Sequence, residues 1–183
     1  LIPSFAVERT QELVTDLVTL IEQGKVPPTK IYIDSPLAAR ATEIFVRHSK
    51  SMEHGEDLGR AFASDYVKST ASVEDSKALA KLHGFRIIIA ASGMCDAGRI
   101  RHHLKNNIGD SANLILFIGY CAEHTLGAQI LSGAPTVNIF AEPHRVRARV
   151  HSIDSFSGHA DKHELRRYVE QIGGEIKKIA VVH

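Results

Sequence analysis

The sequence predicts an α/β fold built on a parallel sheet, and three features of its 183 residues carry that prediction. Helix-period segments alternate with short apolar runs. Two of those runs, residues 86–91 and 113–118, are almost continuously apolar, and no internal repeat interrupts the order. A strand buried on both faces reads as such a run, which is how parallel sheets covered by helices bury their strands. An apolar content of 44% suffices for the core of one ordinary domain, or of one domain with part of a second.

Taken in order, residues 10–23 place Leu13, Leu17, Leu20 and Ile21 on one helical face, and Gly24 with Pro27 and Pro28 ends the helix. Lys30-Ile31-Tyr32-Ile33 is a strand. Ser35 caps and Pro36 opens the next helix, to about Ser49. Residues 51–73 mix acidic and apolar positions and are expected to be irregular and partly helical. Residues 72–82 form a helix whose Ser72-Val73-Glu74-Asp75 start resembles a capping box. After the strand at 86–91, residues 99–107 are a helix, 113–118 a strand, 125–131 a helix and 136–140 a strand, continuing a βαβα series. From Arg145 the style changes. Val146, Ala148, Val150 and Ser152 alternate with Arg145, Arg147, Arg149 and His151, a period of two that predicts a different sheet and a second domain beginning there. A helix at 161–172, with Asp161 and Glu164 spaced as a capping box, and a last strand at 177–182 follow.

Composition excludes several classes. A net charge of +1 gives no overall field toward nucleic acid or an anionic membrane, so any nucleic-acid contact must be local. No apolar run approaches the roughly 20 residues that span a bilayer, and the first residues lack the charged-then-apolar pattern of a signal peptide, which a shortened chain would also lack; no membrane partner is expected and the cytoplasm is the default. Cys95 and Cys121 form no C-x-x-C pair and read as reduced thiols. A start at Leu1 and not at methionine suggests an excised segment.

The polar and glycine-rich punctuation falls at the carboxyl ends of the predicted strands: Asp34-Ser35-Pro36, Ser92-Gly93-Met94, Gly119-Tyr120, Ser157-Gly158-His159 and, at the end, His183. In open α/β sheets that edge binds ligands, although every such sheet has turns there. Ser92-Gly93-Met94 suits either a phosphate oxygen or a plain strand-to-helix turn. The sequence around Ser92 lacks the flanking glycines of a nucleophile elbow, which argues against a serine hydrolase using Ser92 with His159. Asp34 can orient a histidine or bind a cation, or simply belong to a cap. His102 and His103 point to different helix faces and read as surface or packing residues. His159, between Gly158 and a helix capped by Asp161, is placed to give a proton to a leaving oxygen, and Ser157 to donate to the same phosphate; a turn histidine is the bland alternative.

The wording of these motifs resembles the β-CASP branch of metallo-β-lactamase-fold nucleases, nearest its prokaryotic RNA-processing members. Ser155-Phe156-Ser157-Gly158-His159-Ala160-Asp161 resembles motif B and Ala180-Val181-Val182-His183 motif C. Further matches are Ile2-Pro3-Ser4-Phe5-Ala6-Val7 with Arg9-Thr10-Gln11-Glu12, Asp34-Ser35-Pro36-Leu37-Ala38, Ala91-Ser92-Gly93-Met94 with Gly98-Arg99, and 119–127. Glu8 and Ala141 stand where relatives commonly have glycine.

The resemblance implies a three-layer, Rossmann-like β-CASP domain over residues 1–145. A short returning piece of the αββα metallo-β-lactamase domain would follow over 146–183. It implies a zinc-dependent ribonuclease, with His159 as general acid or phosphate contact, Ser157 on the scissile phosphate and His183 as ligand to one of two zinc ions that activate a bridging hydroxide. Ser92, Gly93, Met94, Gly119 and Tyr120 would belong to a lid guiding single-stranded RNA, and Arg99 would touch its backbone. A homodimer is expected of the full-length enzyme. No H-x-H occurs in the chain, so the segment alone is expected to be inactive and not to retain zinc. The alternative is a non-catalytic α/β module binding phosphate or a nucleotide.

Overall fold

The computed structural model describes residues 1–52, 55–156, 160–174 and 176–180. Strand β1 (Ile2–Pro3) leads into α1 (Arg9–Glu22), β2 (Ile31–Asp34) and α2 (Pro36–His48), and a short 3-10 turn follows. Ser35 caps α2, its hydroxyl accepting from the Ala38 amide at 3.2 Å, with Pro36 at the first helical position. The stretch expected to be irregular contains α3 (Gly55–Ala63) and β3 (Val67–Ser69). Its polar sequence hides both, because α3 buries only Gly55, Leu58 and Ala61. Then come α4 (Val73–Leu79), with the expected capping box between Ser72 and Asp75, β4 (Ile87–Ala90), α5 (Ile100–Asn107), β5 (Leu114–Phe117) and α6 (Leu126–Leu131).

The sheet is parallel, as the continuous apolar runs predict. Strand β4 lies between β1 and β2, and β3 flanks β2. Leu1 carries the sheet onward: its nitrogen donates to Leu114 O at 2.7 Å, and the Leu116 amide donates back to Leu1 O at 2.9 Å. Helices cover both faces. One core joins Val14 and Val18 of α1 with Ile31, Ile33 and Ile89; the other joins Ile100 and Leu104 of α5 and Ile130 of α6 with Ile115 and Phe117. Ile89 and Ala90 fall in opposite cores, the alternation of a strand covered on both sides. The buried stripe of α1 is Leu13, Val14, Val18 and Ile21, with Leu17 and Leu20 at its flanks.

Three expectations are corrected. Residues 136–140 do not continue the parallel series. Strand β6 (Thr136–Ile139) pairs antiparallel with β7 (Glu142–Arg145) through a two-residue turn in which Phe140 and Ala141 both have positive φ, 54° and 64°. The alternating stretch after Arg145 does not start a different sheet: β8 (Arg149–Ser152) lies parallel beside β5, Leu114 opposite Arg149. Its period of two reflects one-sided cover, with Ala148 buried and Val146 and Val150 half-buried on the α6 core. Finally, residues 176–180 carry no regular structure, because a strand requires a paired neighbour and none is there among the described residues. Helix α7 (Lys162–Gln171) has its capping box: the Asp161 carboxylate accepts from the His163 and Glu164 amides.

Candidate active-site edge

Because the strands run parallel, their carboxyl ends share one edge, and most of the motif residues gather there. Asp34 closes β2 fully buried. Its carboxylate accepts from Thr70 Oγ1, from Ser76 Oγ at 2.5 Å, from Arg99 Nη1 at 2.7 Å and from His103 Nε2 at 2.6 Å. Burial opposes its ionisation, but the hydrogen bonds from His103, Ser76, Thr70 and Arg99 together outweigh it and hold the carboxyl well below the usual range. Asp34 is therefore an ionised hub joining β2, β3, α4 and α5, while Ser35 alone does the capping. Arg99 also donates to the carbonyls of Thr70 and Ala71 at 3.4 and 3.2 Å, so both its terminal nitrogens turn toward this hub.

Of the His102-His103 pair, His102 is the exposed residue and His103 the packing residue. His103 is 3% exposed, on the face of α5 that buries Ile100 and Leu104. The i, i+3, i+4 spacing of Ile100, His103 and Leu104 was the available signal. Thr70 and Ser76 were missed because nothing local marks a hydroxyl that bonds across more than 30 residues of chain.

The Ser92-Gly93-Met94 turn is closed by its own backbone. The Ser92 amide donates to Ala97 O at 3.1 Å and the Cys95 amide to Ser92 O at 3.1 Å. Gly98 has φ 79°, and a Cβ there would lie 2.2 Å from Ala91 O. Only glycine fits. The turn is welded to the 119–127 loop: the Gly127 amide donates to Met94 O at 2.9 Å and the Leu126 amide to Asp96 Oδ1 at 2.9 Å. A Cβ on Gly127 would sit 2.7 Å from Cys121 Sγ and 2.9 Å from Met94 O, so this close approach also needs glycine. Thr125 caps α6 through the Ala128 amide at 3.1 Å. Ser92 and Met94 are half-buried, Gly93 is buried against the Phe5 ring, and Tyr120 is exposed.

Pro3, Ser4, Phe5, Arg9, Gly93 and Gly119 line one small crevice between these turns. The Thr10-Gln11 pair ties the first turn of α1 to the loop that lines it. Thr10 Oγ1 donates to Phe5 O at 2.6 Å, and buried Gln11 donates to Ala6 O and to Thr42 Oγ1 at 3.2 and 2.9 Å. Strand β8 delivers the chain to the same side, where Ser155 and Phe156 lie in a groove with Arg9 and Glu12. Ser157, His159 and His183 lie outside the described residues.

Among the described residues no three His, Cys, Asp or Glu side chains come together as a metal site. Burial, with help from Asp96, pushes the Cys121 thiol up to about 11, and burial pushes Cys95 up as well. Both stay protonated at neutral pH and suit neither nucleophile nor metal ligand. No helix among the described residues is long and apolar enough to cross a membrane.

Residues 10–130 match the family model of the Beta-Casp domain, two-thirds of the chain, with strands β2 to β5 and the welded turns. The chain belongs to the β-CASP family. Residues 143–183 of this β-CASP chain match a second family model, described as a Zn-dependent metallo-hydrolase RNA specificity domain. Ribonuclease TTHA0252 of Thermus thermophilus is 37% identical across the whole chain, which covers 42% of that protein. The transcription termination factors FttA of Thermococcus kodakarensis and Pyrococcus abyssi are 32% and 31% identical, again across the whole chain and over 30% of their own length. The chain thus spans less than half the length of these curated relatives, among them a ribonuclease.

Proposed function

We propose that this chain is the β-CASP lid and returning segment of a zinc-dependent ribonuclease that hydrolyses phosphodiester bonds of single-stranded RNA in the cytoplasm. The supporting observation is convergence. Three motif-bearing turns, at residues 3–9, Gly93 and Gly119, line one crevice, and β8 brings the Ser155-Phe156 lead of motif B to a groove that shares Arg9 with it. The likeness to a ribonuclease, and to a family described by RNA specificity, supports the substrate class.

In this reading the β-CASP unit runs to about residue 145 and the returning segment from 146. His159 gives a proton to the leaving oxygen and Ser157 donates a hydrogen bond to the scissile phosphate. Ser92, Gly93, Met94, Gly119 and Tyr120 line the path of the strand. Arg99, paired with the ionised Asp34, anchors the start of α5 beside that path. His183 would be one ligand of a zinc ion, and the described residues supply no ligand set of their own. Its partner ligands would come from outside this chain, which alone is expected to be inactive. A dimer of the whole enzyme completes the proposal.

The test joins this chain to a metal-binding half. RNA cleavage should then require zinc and fall at least about 100-fold with His159→Ala, the scale of a lost general acid. Cleavage unchanged in that variant removes the role given to His159. Binding of a mononucleotide in preference to any RNA strand would favour a nucleotide-binding module instead.

A further inference from the structure

Arg99, the residue expected to touch the RNA backbone, turns its guanidinium inward. Its side chain is 19% exposed, and its charge faces the fully buried carboxylate of Asp34 at 2.7 Å. The carbonyls of Thr70 and Ala71, in the loop that leaves β3, accept from its two terminal nitrogens at 3.4 and 3.2 Å. One arginine therefore ties the start of α5 to β2 and to the loop between β3 and α4. The pairing also offsets the field that a phosphate would feel, because the opposite charge lies within hydrogen-bond reach.

The backbone of Arg99 holds the other end. It is the N-cap residue of α5, and its carbonyl accepts from the His102 and His103 amides at 3.0 and 3.2 Å. Just before it Gly98 packs its backbone against Ala91 O, and just after it the Ile100 amide donates to that same oxygen at 3.1 Å. Residues 92–98 are thus a loop with both feet at Ala91. One side of this loop is bonded to the 119–127 loop, at Met94 and Asp96. On the other side the Arg99 side chain fastens its last foot to β2 and β3, while His103 holds the body of α5 to the same carboxylate one turn further on. A connected path then crosses the carboxyl edge, from Thr70 through Asp34 and Arg99 to the Ser92-Gly93-Met94 turn and on to Gly127.

We propose that Arg99 is a positioning residue of the RNA site, held by the Asp34 carboxylate and the Thr70 and Ala71 carbonyls so that the Ser92-Gly93-Met94 turn has one placement, and that it makes no phosphate contact of its own. The inference rests on the reading of that turn as part of the path of a cleaved RNA strand. The two roles ask for different chemistry. Holding a carboxylate and two carbonyls from two nitrogens of one plane needs a guanidinium, and an ammonium on a flexible stem does not reproduce it. Neutralising a phosphate needs only a cation in reach, which releases a counterion whether it is arginine or lysine.

The test uses this chain joined to a metal-binding half, at a temperature where circular dichroism shows each variant folded. Arg99→Lys and Arg99→Ala should both lower kcat for RNA cleavage at least tenfold, because small misplacements of a bound strand are costly, with KM within about threefold. Both should leave the slope of log affinity against log salt, measured without zinc, unchanged. Ser76→Ala removes another donor to the Asp34 carboxylate, on the α4 side, and should lower the thermal midpoint while kcat stays within about twofold. It separates lost stability from lost placement. If Arg99→Lys keeps the activity that Arg99→Ala loses, and the alanine variant's salt slope is flatter by about 0.7, Arg99 is a phosphate contact and the proposal is overturned. Full activity in both Arg99 variants, or an equal loss of kcat in Ser76→Ala, would overturn it as well. No RNA cleavage by the joined wild-type enzyme would overturn the underlying reading, and this inference with it.

Discussion

Helices α5 and α7 are alike in length and both have an apolar side, yet they end in opposite situations. In α5 that side meets the sheet, and Ile100, His103 and Leu104 are buried. In α7 it meets nothing among the described residues: Leu165, Tyr168 and Ile172 are 56%, 69% and 44% exposed, and Val169 is half-buried. The cap of α7 is the better of the two, a reciprocal box against no side-chain cap at all. Local signals therefore decide that a helix exists, and a partner surface decides whether it contributes to a core. The sheet with its covering helices is the cooperative body of the chain, and α7 is carried by it.

The contrast can be broken at several points. The largest effect is expected at the Asp34 hub, where Asp34→Ala should cost about 3–5 kcal/mol in urea unfolding because it strands the partners of a buried charge. Asp34 titrates below its unfolded value. Its share of stability is accordingly present above about pH 4 and lost as pH falls toward the folded value, and Asp34→Asn should flatten that acid limb. A wild-type acid limb that persists unchanged in the asparagine variant would disprove the assignment. Next, Leu104→Ala in α5 should cost about 2–5 kcal/mol, and Leu165→Ala in α7 less than about 0.5. Equal losses would mean that α7 is part of the core. Thr125→Ala should remove about 1 kcal/mol from global stability, whereas Asp161→Ala should lower helical circular dichroism and leave the main transition in place. The smallest change concerns strained turns. Glu8 sits in a γ-turn at φ 68°, ψ −66°, closed by the Arg9 amide on Val7 O at 2.9 Å, and Ala141 has φ 64°. Glu8→Gly and Ala141→Gly should each raise the thermal midpoint, by about 1 kcal/mol equivalent or less.

Those two turns illustrate what the sequence made legible. Positions 8 and 141, where the resembled family commonly has glycine, both have positive φ, the backbone that glycine adopts most readily. The parallel strands and most helices were readable because each burial pattern is local: Ile87-Ile88-Ile89 has the run of a strand covered on both faces, and Ser35-Pro36 the cap and first residue of a helix. Partners were not readable. Nothing within 136–140 says that it folds back on 142–145, and nothing within 149–152 says that it joins β5. The same limit applies to the candidate site. Asp34 is visible as a candidate to orient a histidine, and the spacing of Ile100, His103 and Leu104 marks His103 as buried, but that these two meet depends on a 69-residue crossing that neither local pattern announces. Helix α3 and strand β3 escaped because they bury too little to leave a pattern.

The bond from the Gly127 amide to Met94 O, with that from Leu126 to Asp96, has a kinetic consequence. The first turn of α6 and the loop before α5 cannot open separately, since releasing either one exposes the other's polar groups. Deuterium should enter the Leu126 and Gly127 amides at one shared rate, set by a single opening event, and loosening Gly98 about thirty residues upstream should speed both together.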